Sequence, residues 1–237
     1  SRALSLFVSG HYLYAAGYHS SNLDVIDIST PLNPVHISKV NMDEPLNSLL
    51  GGVFVSGRYA YVAGGHSASL KGKFLIFDVS DPFHPSLVTT SLFVDFFNVH
   101  VSGRYAYLSN YASNTMAVID VSNPEVPVQV ATTSVGTGPQ SLVVSGRYAF
   151  VANTVSNDIS VVDIAIPTAP KLIKNIPAGL LPSSIQVSGR YLYITNASSD
   201  SLSIIDISGT EVTSIIAHSA EVGNLQSRND IVAQGNI

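Results

Sequence analysis

Four arginines, Arg58, Arg104, Arg147 and Arg190, each follow a Ser-Gly pair and precede a tyrosine, and His11 holds the same place near the start of the chain. Gathered in space, such a set would form a positive ring able to hold an anion. Behind each arginine, 16 or 20 residues on, stands an aspartate: Asp78, Asp120, Asp163 and Asp206, with Asp27 behind His11. Five carboxylates invite a calcium reading. Ca²⁺ needs six to eight oxygens in one coordination sphere, however, and carboxylates on separate repeat units are held apart. The expected role is local. Arg58 pairs with Asp78, Arg104 with Asp120, Arg147 with Asp163 and Arg190 with Asp206, and each carboxylate accepts the N–H of the turn that follows it. Exposed pairs of this kind neutralise charge and contribute about 0–1 kcal/mol each.

The other reactive residue types are thinly spread. The histidines, His11, His19, His36, His66, His84, His100 and His218, show no close metal-ligand spacing, although His19 and His66 fall on equivalent hairpins. There is no cysteine, hence no disulfide, thiolate nucleophile or thiolate metal site. No serine stands in a nucleophile-elbow phrase, no glycine-rich loop leads into a helix, and no pair of carboxylates departs from the repeat as an acid/base couple. A non-enzymatic protein without a cofactor or bound metal is expected. Asn196, in "NAS", matches a glycosylation acceptor pattern.

The scaffold that must carry these residues is written five times. Its turn glycines, Gly10, Gly57, Gly103, Gly146 and Gly189, are spaced by 47, 46, 43 and 43 residues. That period suits a blade of four strands. Within each unit a β-branched run ends at Ser-Gly, an aromatic-rich run ("RYAYVA") follows, a polar hairpin ("NYASNT", "NTVSND") leads to a third run ("AVIDV", "SIIDI"), and prolines turn the chain into a fourth. The second and third runs are apolar on both faces, as blades covered by a neighbour on either side require. The strand-two pairs Tyr12/Tyr14, Tyr59/Tyr61, Tyr105/Tyr107, Tyr148/Phe150 and Tyr191/Tyr193 would fill the gaps between blades.

"LDVIDISTPLNP", "FLIFDVSDPFHP" and "MAVIDVSNPEVP", each preceded by "VSG(R/H)Y", resemble LVIVD-type propeller repeats, and "YITNASSDSLSIIDI" also resembles the related YVTN-type surface-protein repeat. The resemblance covers about residues 4–218. It implies a β-propeller of four-stranded antiparallel blades, of a kind often found on secreted or cell-surface proteins, without implying a shared catalytic set. The units are read as about 4–47, 48–95, 96–138, 139–181 and 182–218, making 1–218 the propeller. Unit five lacks the proline pair. Residues 219–237, with "GNL" and "GNI", are read as a tail: the start of a β-solenoid or fibre stalk through which the chain would homo-oligomerise, or a plain disordered end. Five blades are expected to close by packing blade one on blade five; the alternative is an open arc from a ring of six or seven. With no initiating Met or basic-then-apolar leader and an opening part-way into a unit, the sequence is read as an excerpt of a longer or processed polypeptide.

The chain has 237 residues, 46% of them hydrophobic, so a substantial core is expected. Only 11% are charged, the net charge is −5 and no basic run occurs, which argues against nucleic acid as a partner. No apolar stretch is long enough to enter a membrane as a helix. The copies differ most on one side. From turn glycine to aspartate four units take 17 residues and unit two takes 21, the excess lying in "GGHSASLKGK"; the longest link between units contains "NMDEPLNSLLGG". Insertions gather on a repeat protein's working face. His19, Met42, Asp43, Glu44, His66, Ser67, Lys71, Lys73, Asn110, Asn153 and Asn196 are therefore expected to border a shallow polar site for a protein or glycan. A structural spacer or assembly subunit of a surface layer or filament is the alternative, followed by a hydrolase or oxidoreductase propeller.

Overall fold

The computed structural model describes residues 2–18, 22–41, 50–64, 73–92 and 96–208, and these contain strands and no helix. Blade one comprises β1 (Arg2–Ser9), β2 (Tyr12–Tyr18), β3 (Asn22–Asp27) and β4 (Val35–Asn41). Blade two comprises β5 (Leu50–Ser56), β6 (Tyr59–Gly64), β7 (Lys73–Asp78) and β8 (Ser86–Leu92). Blade three comprises β9 (Phe96–Ser102), β10 (Tyr105–Asn110), β11 (Thr115–Asp120) and β12 (Val128–Ser134). Blade four comprises β13 (Pro139–Ser145), β14 (Tyr148–Asn153), β15 (Asp158–Asp163) and β16 (Lys171–Pro177). Blade five shows β17 (Pro182–Ser188), β18 (Tyr191–Asn196) and β19 (Ser201–Asp206); its expected fourth strand and the tail lie outside the described residues. Each sheet is an antiparallel meander in chain order.

The Ser-Gly step makes the first hairpin of every blade. Ser9 pairs with Tyr12 across two residues, Ser56 with Tyr59 and Ser102 with Tyr105. The turn glycines sit at φ of 58–59°, where a side chain is penalised. The turn brings Arg58 to the end of β6, whose Tyr59 is in register with Asp78 of β7. Arg58 accordingly pairs with Asp78, and Arg104 with Asp120; Arg147 reaches Asp163 at 2.5 Å and Arg190 reaches Asp206 at 3.0 Å. Each guanidinium carbon also lies 5.1–5.3 Å from the ring centroid of the tyrosine that follows it. The other carboxylate oxygen accepts the N–H two residues on, from Ser29, Ser80, Ser122, Ala165 and Ser208, at 2.8–2.9 Å. The arginines thus spend their charge within their own blades.

Blades pack face to face. Tyr14, Leu23 and Val25 of blade one meet Val53, Leu75 and Phe77 of blade two in one buried cluster. Tyr61, Phe74 and Ile76 then meet Val99, Leu108 and Ile119 of blade three. Equivalent clusters join blade three to four and four to five. In each, the strand-two aromatics of one blade plug the gap to the next, and each fully buried aliphatic or aromatic side chain contributes about 1.5–3 kcal/mol.

Among the described residues no such cluster joins blade five to blade one, so the expected side-chain closure of five blades is not seen. Leu6 is 59% exposed, whereas its repeat equivalents Val53, Val99, Leu142 and Ile185 are 3–5% exposed. Leu202 and Ile204 are 56% and 58% exposed, while every equivalent, from Leu23 and Val25 to Ile159 and Val161, is fully buried. The physical reason is the absence of an opposing sheet, since the residue types match.

Two expectations follow. Ile159→Ala lowers unfolding free energy by about 2–4 kcal/mol and Leu202→Ala, at the same repeat position, by less than about 1 kcal/mol, read by denaturant titration. Asp78 is held down to about 2 by Arg58 and then by Ser80, and Asp120 to about 2 by Ser122 and then by Arg104. A depressed carboxylate stabilises the fold fully above its unfolded value of about 3.9, and that contribution disappears as pH falls towards 2. Thermal stability measured between pH 5 and 2 therefore falls less steeply in Asp78→Asn and Asp120→Asn than in the parent.

Candidate functional site

The blades have two unlike ends. Glycine turns and Arg–Asp pairs occupy one. At the other emerge the hairpins between second and third strands and the links from one blade to the next. In the described residues this second end is seen best on blades three to five. The link 135–138 is pinned from both sides: the Gly138 N–H donates to Asn114 Oδ1 of the blade-three hairpin at 2.9 Å, and the blade-four hairpin donates the N–H groups of Thr154 and Val155 to the carbonyls of Gly138 and Thr137. The next link repeats this, with Leu181 N–H donating to Asn157 Oδ1 at 2.8 Å and Ala197 and Ser198 donating to Leu181 and Leu180. Asn114 and Asn157 adopt left-handed φ of 56° and 58°, a conformation asparagine tolerates.

Gly138 also has positive φ, at 70°, but its counterpart is Leu181, at 58°. A leucine there carries a steric penalty of about 1–2 kcal/mol. Leu181 is 42% exposed, and beside it Leu180 is 54% exposed; Val155, on the neighbouring hairpin, is 54% exposed. This face therefore presents apolar side chains on bonded, well-defined loops.

Of the expected polar rim, Lys73 and three asparagines fall among the described residues. His19, Met42, Asp43, Glu44, His66, Ser67 and Lys71 lie outside the described residues. Lys73 opens β7 and is half-buried. Asn110, Asn153 and Asn196 are buried within their hairpins and do not border an open site. Asn153 donates to Asp158 at 2.7 Å and to Ser160 at 2.9 Å, Asn196 donates to Ser201 and Ser203, and Asn110 accepts from Ser113 N–H at 3.1 Å. The cause is close packing by the links: a Cβ on Gly136 would lie 2.6 Å from Asn153 Nδ2, and one on Gly179 at the same distance from Asn196. Matched asparagines read as variable-loop residues in the sequence serve as internal ties. The paired Arg58, Arg104, Arg147 and Arg190, with Asp78, Asp120, Asp163 and Asp206, stand at the opposite end.

A second concavity runs along the axis, a cavity of about 410 Å³ lined by the first strands of all five blades. Two matched layers face it: Phe7, Phe54, His100, Val143 and Gln186, then Ser5, Asn98, Ser141 and Ser184, with Gly52 at the equivalent place in blade two. His100 is the one titratable side chain of this lining. Burial pushes it down to about 4, so it is neutral near pH 7, and its ring sits 4.4 Å from Phe54, which in turn lies 4.6 Å from Phe7. The described residues include no group of three His, Asp or Glu side chains able to hold a metal. Among the described residues there is no helix long and apolar enough to cross a membrane.

Sequence reasoning missed Asn114, Asn157, Leu180, Leu181 and the axial layers. The signal for the first two was present, since both stand eleven residues after a turn glycine. The axial serines likewise stand five before one.

Solved structures share this architecture. A protein of unknown function from Desulfotomaculum acetoxidans superposes with a TM-score of 0.70 at 15% identity, over 86% of this chain and 69% of its own. The periplasmic gluconolactonase of Pseudomonas aeruginosa gives 0.72 at 17% identity, over 86% and 66%. A chain of a nidogen/laminin complex gives 0.63 at 11% identity, over 88% and 77%. The chain thus spans about two thirds of the length of the first two, and at these identities the likeness is one of fold. No curated protein matches it in sequence. LVIVD repeats match residues 2–42, 51–92, 96–133, 138–177 and 182–211, one stretch for each blade just described. With most of its length accounted for in this way, the chain belongs to the LVIVD repeat family.

Proposed function

We propose that this propeller is a non-enzymatic binding module, displayed outside the cell or on its surface, which recognises a protein or glycan through the face where hairpins and links emerge. The observation that carries the reading is Leu181. A strained, exposed leucine, at a position where the preceding blade has glycine, costs the fold energy without adding to its core, and such strain collects at functional sites. With Leu180 and Val155 it offers apolar contact area ringed by polar loop atoms, a mixture suited to a protein surface or to the apolar faces of sugars.

Two further observations support binding over turnover. Among the described residues the axial lining holds no carboxylate and no Lys or Arg, and its one titratable side chain is the neutral His100. The repeated arginines and aspartates, which would be the natural source of acid–base groups, are bound to one another at the far end. The gluconolactonase neighbour shares the architecture at 17% identity and supplies the enzymatic comparison. Extracellular display rests on the likeness of these repeats to those of surface proteins, and nucleic acid is disfavoured by the acidic balance.

Binding to a glycan array and to immobilised extracellular-matrix proteins is the direct test. Leu180→Ser and Leu181→Gly are expected to reduce binding at least tenfold, while Arg104→Gln, at the opposite end, leaves it within twofold. Leu181→Gly should at the same time raise stability, by about 1 kcal/mol, because glycine relieves the left-handed strain. Hydrolysis of gluconolactone by the parent chain, abolished by a chelator, would replace this reading with an enzymatic one.

A further inference from the structure

The axial layer Ser5, Gly52, Asn98, Ser141 and Ser184 forms a belt of hydrogen bonds with a direction. Each blade's polar residue accepts from the first strand of the next blade: Val53 N–H donates to Ser5 Oγ at 3.1 Å, Leu142 N–H to Asn98 Oδ1 at 3.4 Å, and Ile185 N–H to Ser141 Oγ at 3.3 Å. At the remaining interface Gly52 has no side chain, and a Cβ there would stand 2.9–3.0 Å from Asn98 and the Val99 nitrogen, so the strands close up instead. The belt stops at blade five. Ser184 Oγ is exposed and has no partner among the described residues, and the amide matching Val53, Leu142 and Ile185 is that of Leu6, also without one. One end of the arc thus presents a free acceptor beside Gln186, Tyr193, Leu202 and Ile204. The other presents a free donor beside exposed Leu6 and Val8.

We propose that the seam between blade five and blade one is a docking surface for two further blades of the same repeat class, which complete the ring head to tail. The complementarity is specific. The incoming first strand must give Ser184 an N–H, and the last incoming blade must give the Leu6 N–H a Ser or Asn oxygen, as three of the four existing interfaces do. The apolar sockets have the residue types of their buried equivalents, so the same sheet face fits them. A second copy of this arc does not fit, because two arcs joined head to tail make ten blades, beyond the roughly four to eight that propellers use. Two blades are indicated by the Desulfotomaculum and Pseudomonas propellers, about a third of whose length lies outside the superposition. At the period of this chain that is about two repeats.

The test inserts a second copy of residues 96–181 between Leu181 and Pro182. Phe96 and Pro182 both stand seven before a turn glycine, so both joints keep register. Hydrogen exchange is followed at the Leu6 amide. In the parent chain it is expected to exchange about 100-fold faster than the amides of Val53 and Ile185, independently of protein concentration; in the seven-blade chain it slows to within about tenfold of them. Fast exchange at Leu6 in a seven-blade chain whose Val53 is protected would overturn the proposal. So would protection in the parent, which means closure at five, or protection that grows with concentration, which means a second copy. Leu6→Asp and Ile204→Asp in the parent give a readout independent of the insertion. They should leave its melting temperature within about 2 °C, where Val53→Asp and Val161→Asp prevent folding; a comparable loss from Leu6→Asp or Ile204→Asp also overturns the proposal.

Discussion

Every sheet of this protein is apolar on both faces, and no single sheet can keep both from water. Stability must come from a neighbour on each side. The repeated aromatics, the β-branched third strands and the tight glycine turns all serve that lateral packing, and four interfaces of nearly equal composition result. Interactions along this line are nearest-neighbour in character, as in other repeat proteins, so the state of any one blade depends on who stands beside it more than on its own sequence.

Charge is arranged to leave these interfaces alone. Arginines and aspartates meet at one end of blades two to five, stacked on tyrosine and capped by turn amides, where solvent still reaches the guanidinium groups. Polar side chains that do enter the interior have fixed local partners: serine and asparagine around the axis accept amides from the adjoining blade, Asn114 and Asn157 accept amides of the links, and Asn153 and Asn196 donate to side chains of their own hairpins. Buried polar groups are tolerable on those terms because the repeat geometry fixes a donor or acceptor for them, as the Nδ2 groups of Asn153 and Asn196 find theirs. The proposed recognition face is the loop end, where the strained Leu181 and its exposed neighbours depart from the repeat.

Much of this was legible before any coordinates. The period, the strand order, the turn glycines, the Arg–Asp pairs and the aromatic packing follow from local rules or from identity among the five copies. The candidate site was much less so. Asn110, Asn153 and Asn196 looked like rim residues because hairpin asparagine is usually solvated, but all three are buried, and over Asn153 and Asn196 the preceding link folds, with Gly136 and Gly179 the residues that let it approach. Leu181 looked like one more apolar residue until its φ was known. Neither property is written in a residue's own neighbourhood.

The sequence by itself determined the unit: a four-stranded antiparallel blade, its hairpins and its internal charge pairs, because these depend on contacts close along the chain and on alternation within a strand. The tertiary structure decided which faces are covered. Leu23 and Leu202 occupy the same position in nearly the same phrase, yet one is sealed and the other half in water, because burial is a relation between two sheets, and a repeat carries the same letters whether or not its neighbour is there.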